Sequence, residues 1–147
     1  MAAVLLASVA IDVEPIYCML NGCQLHGILH TYVGAAAFSL AVTTVLIYLG
    51  KRHLQRLSER LGLAQDYSLK SIIAGTLVGA WSHVLLDSFM HFDVMPFWPI
   101  LENPFLRIID NATIYLIAVI GFVAGAGLYF LRLHVSLRDQ RSSDQRS

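Results

Sequence analysis

Polar and apolar residues along this chain fall into blocks too long for a soluble fold. Residues 31–50 carry no charged side chain, and about twenty apolar residues are what a helix needs to cross the hydrocarbon core of a bilayer. Two further blocks of this kind cover 71–91 and 111–131, the last again without charge. A weaker block covers 1–20, where Asp12 and Glu14 interrupt the run and Pro15 is placed to break or kink the helix. It is either a full crossing or a partly re-entrant helix. A polar stretch at 51–70 and a proline-bearing loop at 91–110 separate the later blocks. The stretch 132–147, rich in Arg, Ser, Asp and Gln, reads as a polar, disordered tail. The pattern predicts an all-α integral membrane bundle of about four helices, one domain over 1–131.

Composition agrees. The chain is 56% hydrophobic and 14% charged, where a soluble domain carries about a quarter charged residues. Its net charge of zero gives no electrostatic case for a nucleic-acid partner. The first ten residues do not read as a cleaved signal, because no Lys or Arg precedes them and Asp12 ends the apolar run early. Basic residues set the expected orientation. The stretch 51–70 holds Lys51, Arg52, Arg56, Arg60 and Lys70 against Glu59 and Asp66, and the tail holds Arg132, Arg138, Arg141 and Arg146. The loop 91–110 holds only Arg107. Both basic segments, and so both termini, are expected in the cytoplasm of a multi-pass protein of the cell membrane. Phe97, Trp98 and Phe105 then read as an aromatic belt on the outer side. Cys18 and Cys23 pair if they face an oxidising compartment, and the sequence leaves both redox states open. Gly75 with Gly79, and Gly121 with Gly125, allow close helix approach, either within the bundle or in a homo-oligomer.

The chemistry gathers in Ser82–His91. His83, Asp87 and His91 recur every four residues, on one face of a helix. Ionisable groups inside a membrane are costly and mark a functional site whose partners should be named. The partners expected here are Asp12, Glu14, His26 and His30. Counting about 1.5 Å of rise per residue from Lys70, His83 lies roughly 20 Å into the membrane and Asp87 roughly 25 Å. His91 lies roughly 31 Å in, and Asp12 roughly 17 Å from Met1. All of them collect in the outer half. His83 and His91 are about 12 Å apart on a straight helix, too far to share one ion. The inventory allows two metals, or one metal with His91 or His26 as a proton carrier; the expected ligands of a divalent metal are Asp12, His30, His83 and Asp87, with His26 able to join. Glu14 and His91 are the expected proton carriers. Imidazole with carboxylate suits zinc, manganese or iron. Asp93 and Glu102 read as solvated loop residues, and Asp110 as a helix N-cap.

These motifs resemble the YdjM-type family of membrane-bound metal-dependent hydrolases. Ile11-Asp12-Val13-Glu14 matches its acidic block, and His26-Gly27-Ile28-Leu29-His30-Thr31 its histidine block. Ser82-His83-Val84-Leu85-Leu86-Asp87 with Trp98-Pro99 matches its third and most specific block. The chain departs from the family at Glu14, which stands for an Asp, at Gly27, where the family has Arg, and at His91, often a small residue. The resemblance implies a metal-dependent hydrolase. The depth of the polar groups suggests a lipid-like or amphipathic substrate such as a headgroup phosphoester, with membrane lipids as surroundings. The alternative is a non-enzymatic metal- or haem-binding membrane protein. A metal carrier would need a polar path to the cytoplasm, and the inner halves of 31–50 and 111–131 are apolar apart from Thr43 and Thr44.

Overall fold

Pro15 shapes the start of the chain. It cannot donate to the carbonyl four residues back and its ring crowds that carbonyl, so the first span is broken one turn earlier, at Ile11 and Asp12. The computed structural model describes residues 2–60 and 68–144. Asp66 and Arg146 fall outside the described residues. The elements are α1 (Ala2–Ala10), α2 (Val13–Asn21), a single 3₁₀ turn (Ile28–His30), α3 (Tyr32–Arg60), α4 (Leu69–Met90) and α5 (Asn111–Asp144). No strand occurs among the described residues. Four stretches are long and apolar enough to cross a membrane: Ala2–Asn21, Tyr32–His53, Leu69–Met90 and Asn111–Val135. Large apolar side chains such as Leu20, Tyr48 and Phe122 are exposed on their outer faces, as lipid-facing residues must be.

The core is built from small residues. Ala7, Ile11, Ala35, Ala80 and Val84 are fully buried, with Leu29 and Tyr32 packed against them. Such residues let α1, α3 and α4 approach closely, which is how helices gain packing energy in lipid. At Gly79 a Cβ would run into the backbone carbonyl of Val4, and at Gly75 it would sit 3.1 Å from the Ala3 Cβ. The first pair of glycines thus packs α1 on α4 inside one chain, while Gly121 and Gly125 meet nothing within 4 Å. Because Val4 presents backbone rather than a movable side chain, Gly79→Leu should destabilise the bundle by about 3 kcal/mol. Thermal melting in detergent would read this as a clear fall in midpoint.

α5 stands apart, with only 6% of its spanning window buried. It also runs to Asp144, through most of the stretch expected to be a disordered tail. No Gly or Pro interrupts 132–144, and Leu, Arg and Gln sustain a helix well. The expected capping at its start is present: Thr113 N–H donates to Asp110 Oδ1 at 3.0 Å and Thr113 Oγ1 donates to Oδ2 at 2.6 Å.

The loop 91–110 is fastened to the helix ends beside it. Tyr32 N–H donates to the Pro96 carbonyl at 2.9 Å, and Asn103 Nδ2 donates to the Ser88 carbonyl at 2.9 Å. Phe97 and Phe105 pack on each other, Phe97 also on Tyr32 and Phe105 on Phe89. These two rings serve as the loop's own small core as much as a belt. Cys18 and Cys23 are joined by a disulfide at the same end of the bundle.

Candidate metal centre

The helix break, the 3₁₀ turn and the end of α4 meet at that end. α4 brings His83 and Asp87 one above the other, with His83 Nε2 3.0 Å from Asp87 Oδ2. The break in the first span places Asp12 beside them, its Oδ1 3.2 Å from the same nitrogen. The 3₁₀ turn inserts His30, fully buried, with Nε2 3.5 Å from Asp87 Oδ2. Despite these short distances neither His30 Nε2 nor His83 Nε2 is aligned for a hydrogen bond, although both are buried. Unpaired buried polar atoms cost several kcal/mol, so two nitrogens of this kind facing shared carboxylates call for a different partner. Ligands about 2.0–2.1 Å from a tetrahedral zinc lie about 3.3 Å from one another, and the three observed separations bracket that value. The ligand atoms of Asp12, His30 and His83 lie within 4.8 Å of one another, as do those of His26, His30 and Asp87.

Glu14 is placed behind His30. His30 Nδ1 donates to Glu14 Oε2 at 2.9 Å, Gly27 N–H donates to Oε2 at 3.0 Å, and Leu29 N–H donates to Oε1 and Oε2 at 3.2 and 3.1 Å. A Cβ on Gly27 would come within 2.6 Å of Glu14 Oε1, so the bare backbone at that position makes room for the carboxylate. An ionised carboxylate only accepts, which puts the proton of His30 on Nδ1 and leaves the lone pair on Nε2. Burial pulls the His30 imidazole below its ordinary pKa, outweighing the hydrogen bond it donates to Glu14, so the neutral ring is favoured. This is the arrangement in which a carboxylate orients a metal-ligating histidine.

His91 leaves the helix in an extended conformation, its N–H still bonded to the Asp87 carbonyl. It stacks on His26, ring centroids 4.5 Å apart and planes at 30°. His26 in turn meets His30 edge-on at 4.7 Å. The residue sequence reasoning missed is Asp93. It was read as a solvated loop residue, yet its Oδ1 lies 2.9 Å from His26 Nδ1 and only 19% of its side chain is exposed. Burial raises the Asp93 pKa, but the hydrogen bond and charge of His26, with nearby backbone N–H groups, more than offset it and hold the carboxyl below its ordinary value. No helical period ties Asp93 to His26, 67 residues away, so spacing carried no signal of the contact.

Fold and site together define a multi-pass helical membrane protein with a buried imidazole–carboxylate cluster at one end of its bundle. Residues 1–141 match the model of the YdjM inner membrane protein family, and the chain belongs to that family. No curated protein and no solved structure matches it.

Proposed function

We propose that this protein is a membrane-embedded metal-dependent hydrolase whose site faces the outer leaflet and acts on a lipid-like or amphipathic phosphoester. The observation that carries this reading is the pair of buried, unbonded Nε2 atoms of His30 and His83, set at ligand spacing from Asp12 and Asp87. These four residues would hold the ion, and the donor set fits zinc, with manganese or iron as substitutes. When bound, such an ion lowers the pKa of water toward neutrality and polarises the scissile group. Glu14 fixes the tautomer and direction of His30. Its carboxylate is engaged by three donors, so it is spent on positioning rather than proton transfer. His91 keeps company with His26 and Asp93 and not with the inner four. Proton transfer falls to Asp12, the most exposed of the four at 42% of its side chain; a carboxylate that offers one oxygen to an ion keeps the other for a proton.

The outward orientation rests on the basic stretches at the far end and on the disulfide, which suits an oxidising compartment. Haem suits the cluster poorly. The imidazoles lie against one another with centroids 4.5 to 5.8 Å apart, edge-on, stacked and tilted in turn, rather than facing one another across a plane. The test is hydrolysis of lipid phosphoesters by the purified protein in mixed micelles. Chelation should abolish turnover and zinc should restore it; zinc-loaded protein that turns over none of a panel of headgroup phosphoesters overturns the reading.

A further inference from the structure

A second group of metal-ligating side chains lies beside the first and shares none of its four residues. The ligand atoms of His26, His91 and Asp93 all fall within 4.8 Å of one another. Their backbone is held by contacts of its own besides the His91 N–H bond to the Asp87 carbonyl. Gln24 Nε2 donates to the carbonyls of both His26 and Asp93 at 3.1 Å, drawing the two segments together. His26 N–H reaches Asp93 Oδ2 at 3.4 Å. Asn103 Nδ2 reaches the His91 carbonyl at 3.4 Å, and the Cys18–Cys23 disulfide closes the turn just before His26. Loop side chains fixed this way lose less freedom when an ion draws them in.

Chemistry and access both suit a cation. His26 Nδ1 and Asp93 Oδ1, 2.9 Å apart, already stand near the separation of about 3.3 Å that two ligands of one tetrahedral zinc keep. An ion there takes the place of the proton they share. His91 is a third donor across the stacked pair, needing about 1.5 Å of side-chain movement at most to close from 4.8 Å. A cavity of about 670 Å³, lined by Cys23, His26, His91, Asp93 and Met95 among others, opens on the group. Three protein ligands with an accessible fourth position is the form of an exchangeable or catalytic zinc site rather than a closed structural one.

We infer that His26, His91 and Asp93 form a second divalent-cation site, so that the loaded protein carries two ions, an inner one on Asp12, His30, His83 and Asp87 and an outer one at the cavity wall. The outer site goes beyond the hydrolase reading and stands without it.

The experiment is zinc stoichiometry of the full chain in detergent, by elemental mass spectrometry after gel filtration. It is run on the unsubstituted protein, on His91→Gln with Asp93→Asn, and on His83→Ala with Asp87→Ala. The expected result is two zinc ions per chain for the first and one for each variant pair. Undiminished zinc in the His91/Asp93 pair overturns the outer site. A single ion that survives the His91/Asp93 change and is lost with His83 and Asp87 overturns it too, while leaving the inner centre standing. The opposite pattern sinks the inner centre alone. Should the outer pair fail to fold, titration of the His83→Ala, Asp87→Ala chain against a competing fluorescent chelator decides: one class of tight zinc is expected to remain, and none overturns the proposal.

Discussion

Replacing His83 and Asp87 together by Ala should strip the inner metal and lower hydrolysis by about a thousandfold or more. The change removes the nitrogen that faces both Asp12 and Asp87 and the oxygen that faces both His83 and His30. What is left of the four is His30 with the Asp12 carboxylate, two donors and too few for a tight site. The Lewis-acid contribution of a bound ion is worth several kcal/mol, and about 4 kcal/mol corresponds to a thousandfold in rate. Metal content of the washed protein and turnover should fall together. Both side chains are only part-buried, 18% and 19% exposed, so the bundle should survive and its melting point serves as the control. Undiminished metal content in this variant would remove the inner centre from consideration.

Glu14→Ala should weaken zinc binding by about 10- to 100-fold, as loss of a carboxylate behind a ligating histidine generally does. Three donors lose their acceptor at once: Gly27 N–H, Leu29 N–H and His30 Nδ1. Each buried donor left unpaired costs about 1–3 kcal/mol, so a loss of stability should accompany the loss of affinity. Glu14→Gln should fall between, since one amide oxygen replaces two carboxylate oxygens among the same donors. The pH–rate profile separates positioning from proton transfer. A positioning residue leaves the shape of the profile intact once metal is saturating. Loss of one limb with affinity preserved would make Glu14 the proton carrier that the sequence first suggested.

The spans were legible because hydropathy over twenty residues is a property of the chain itself, and the bilayer imposes the length. The pair His83 and Asp87 was legible because helical spacing sets them on one face whatever else packs there. Asp12 and His30 came from depth, since groups at the same height in a bundle tend to meet. What could not be read were contacts made by irregular backbone. Asp93 meets His26 only because the loop 91–110 folds back on the turn at 22–30, and that fold depends on hydrogen bonds such as Gln24 to two distant carbonyls. The contacts of Glu14 were hidden for the same reason, for its partners include backbone amides at a 3₁₀ turn that no periodicity announces. The helical course of 132–144 was not legible because polarity alone does not separate a disordered tail from a surface helix, which is polar as well.

The break at Ile11 and Asp12 bears on how one short stretch supplies both carboxylates. In an unbroken helix, residues two apart point about 200° from each other around the axis, so Asp12 and Glu14 would serve opposite sides of the strand of chain that bears them. Asp12 caps α2 with a helical backbone and Glu14 lies in its first turn, so that divergence is kept and the break before it turns the pair as a unit. Asp12 reaches His83 from one side and Glu14 reaches the far nitrogen of His30 from another. A single imino acid thereby turns two neighbouring acids toward the cluster together, one touching the proposed ion and the other holding the ring that does.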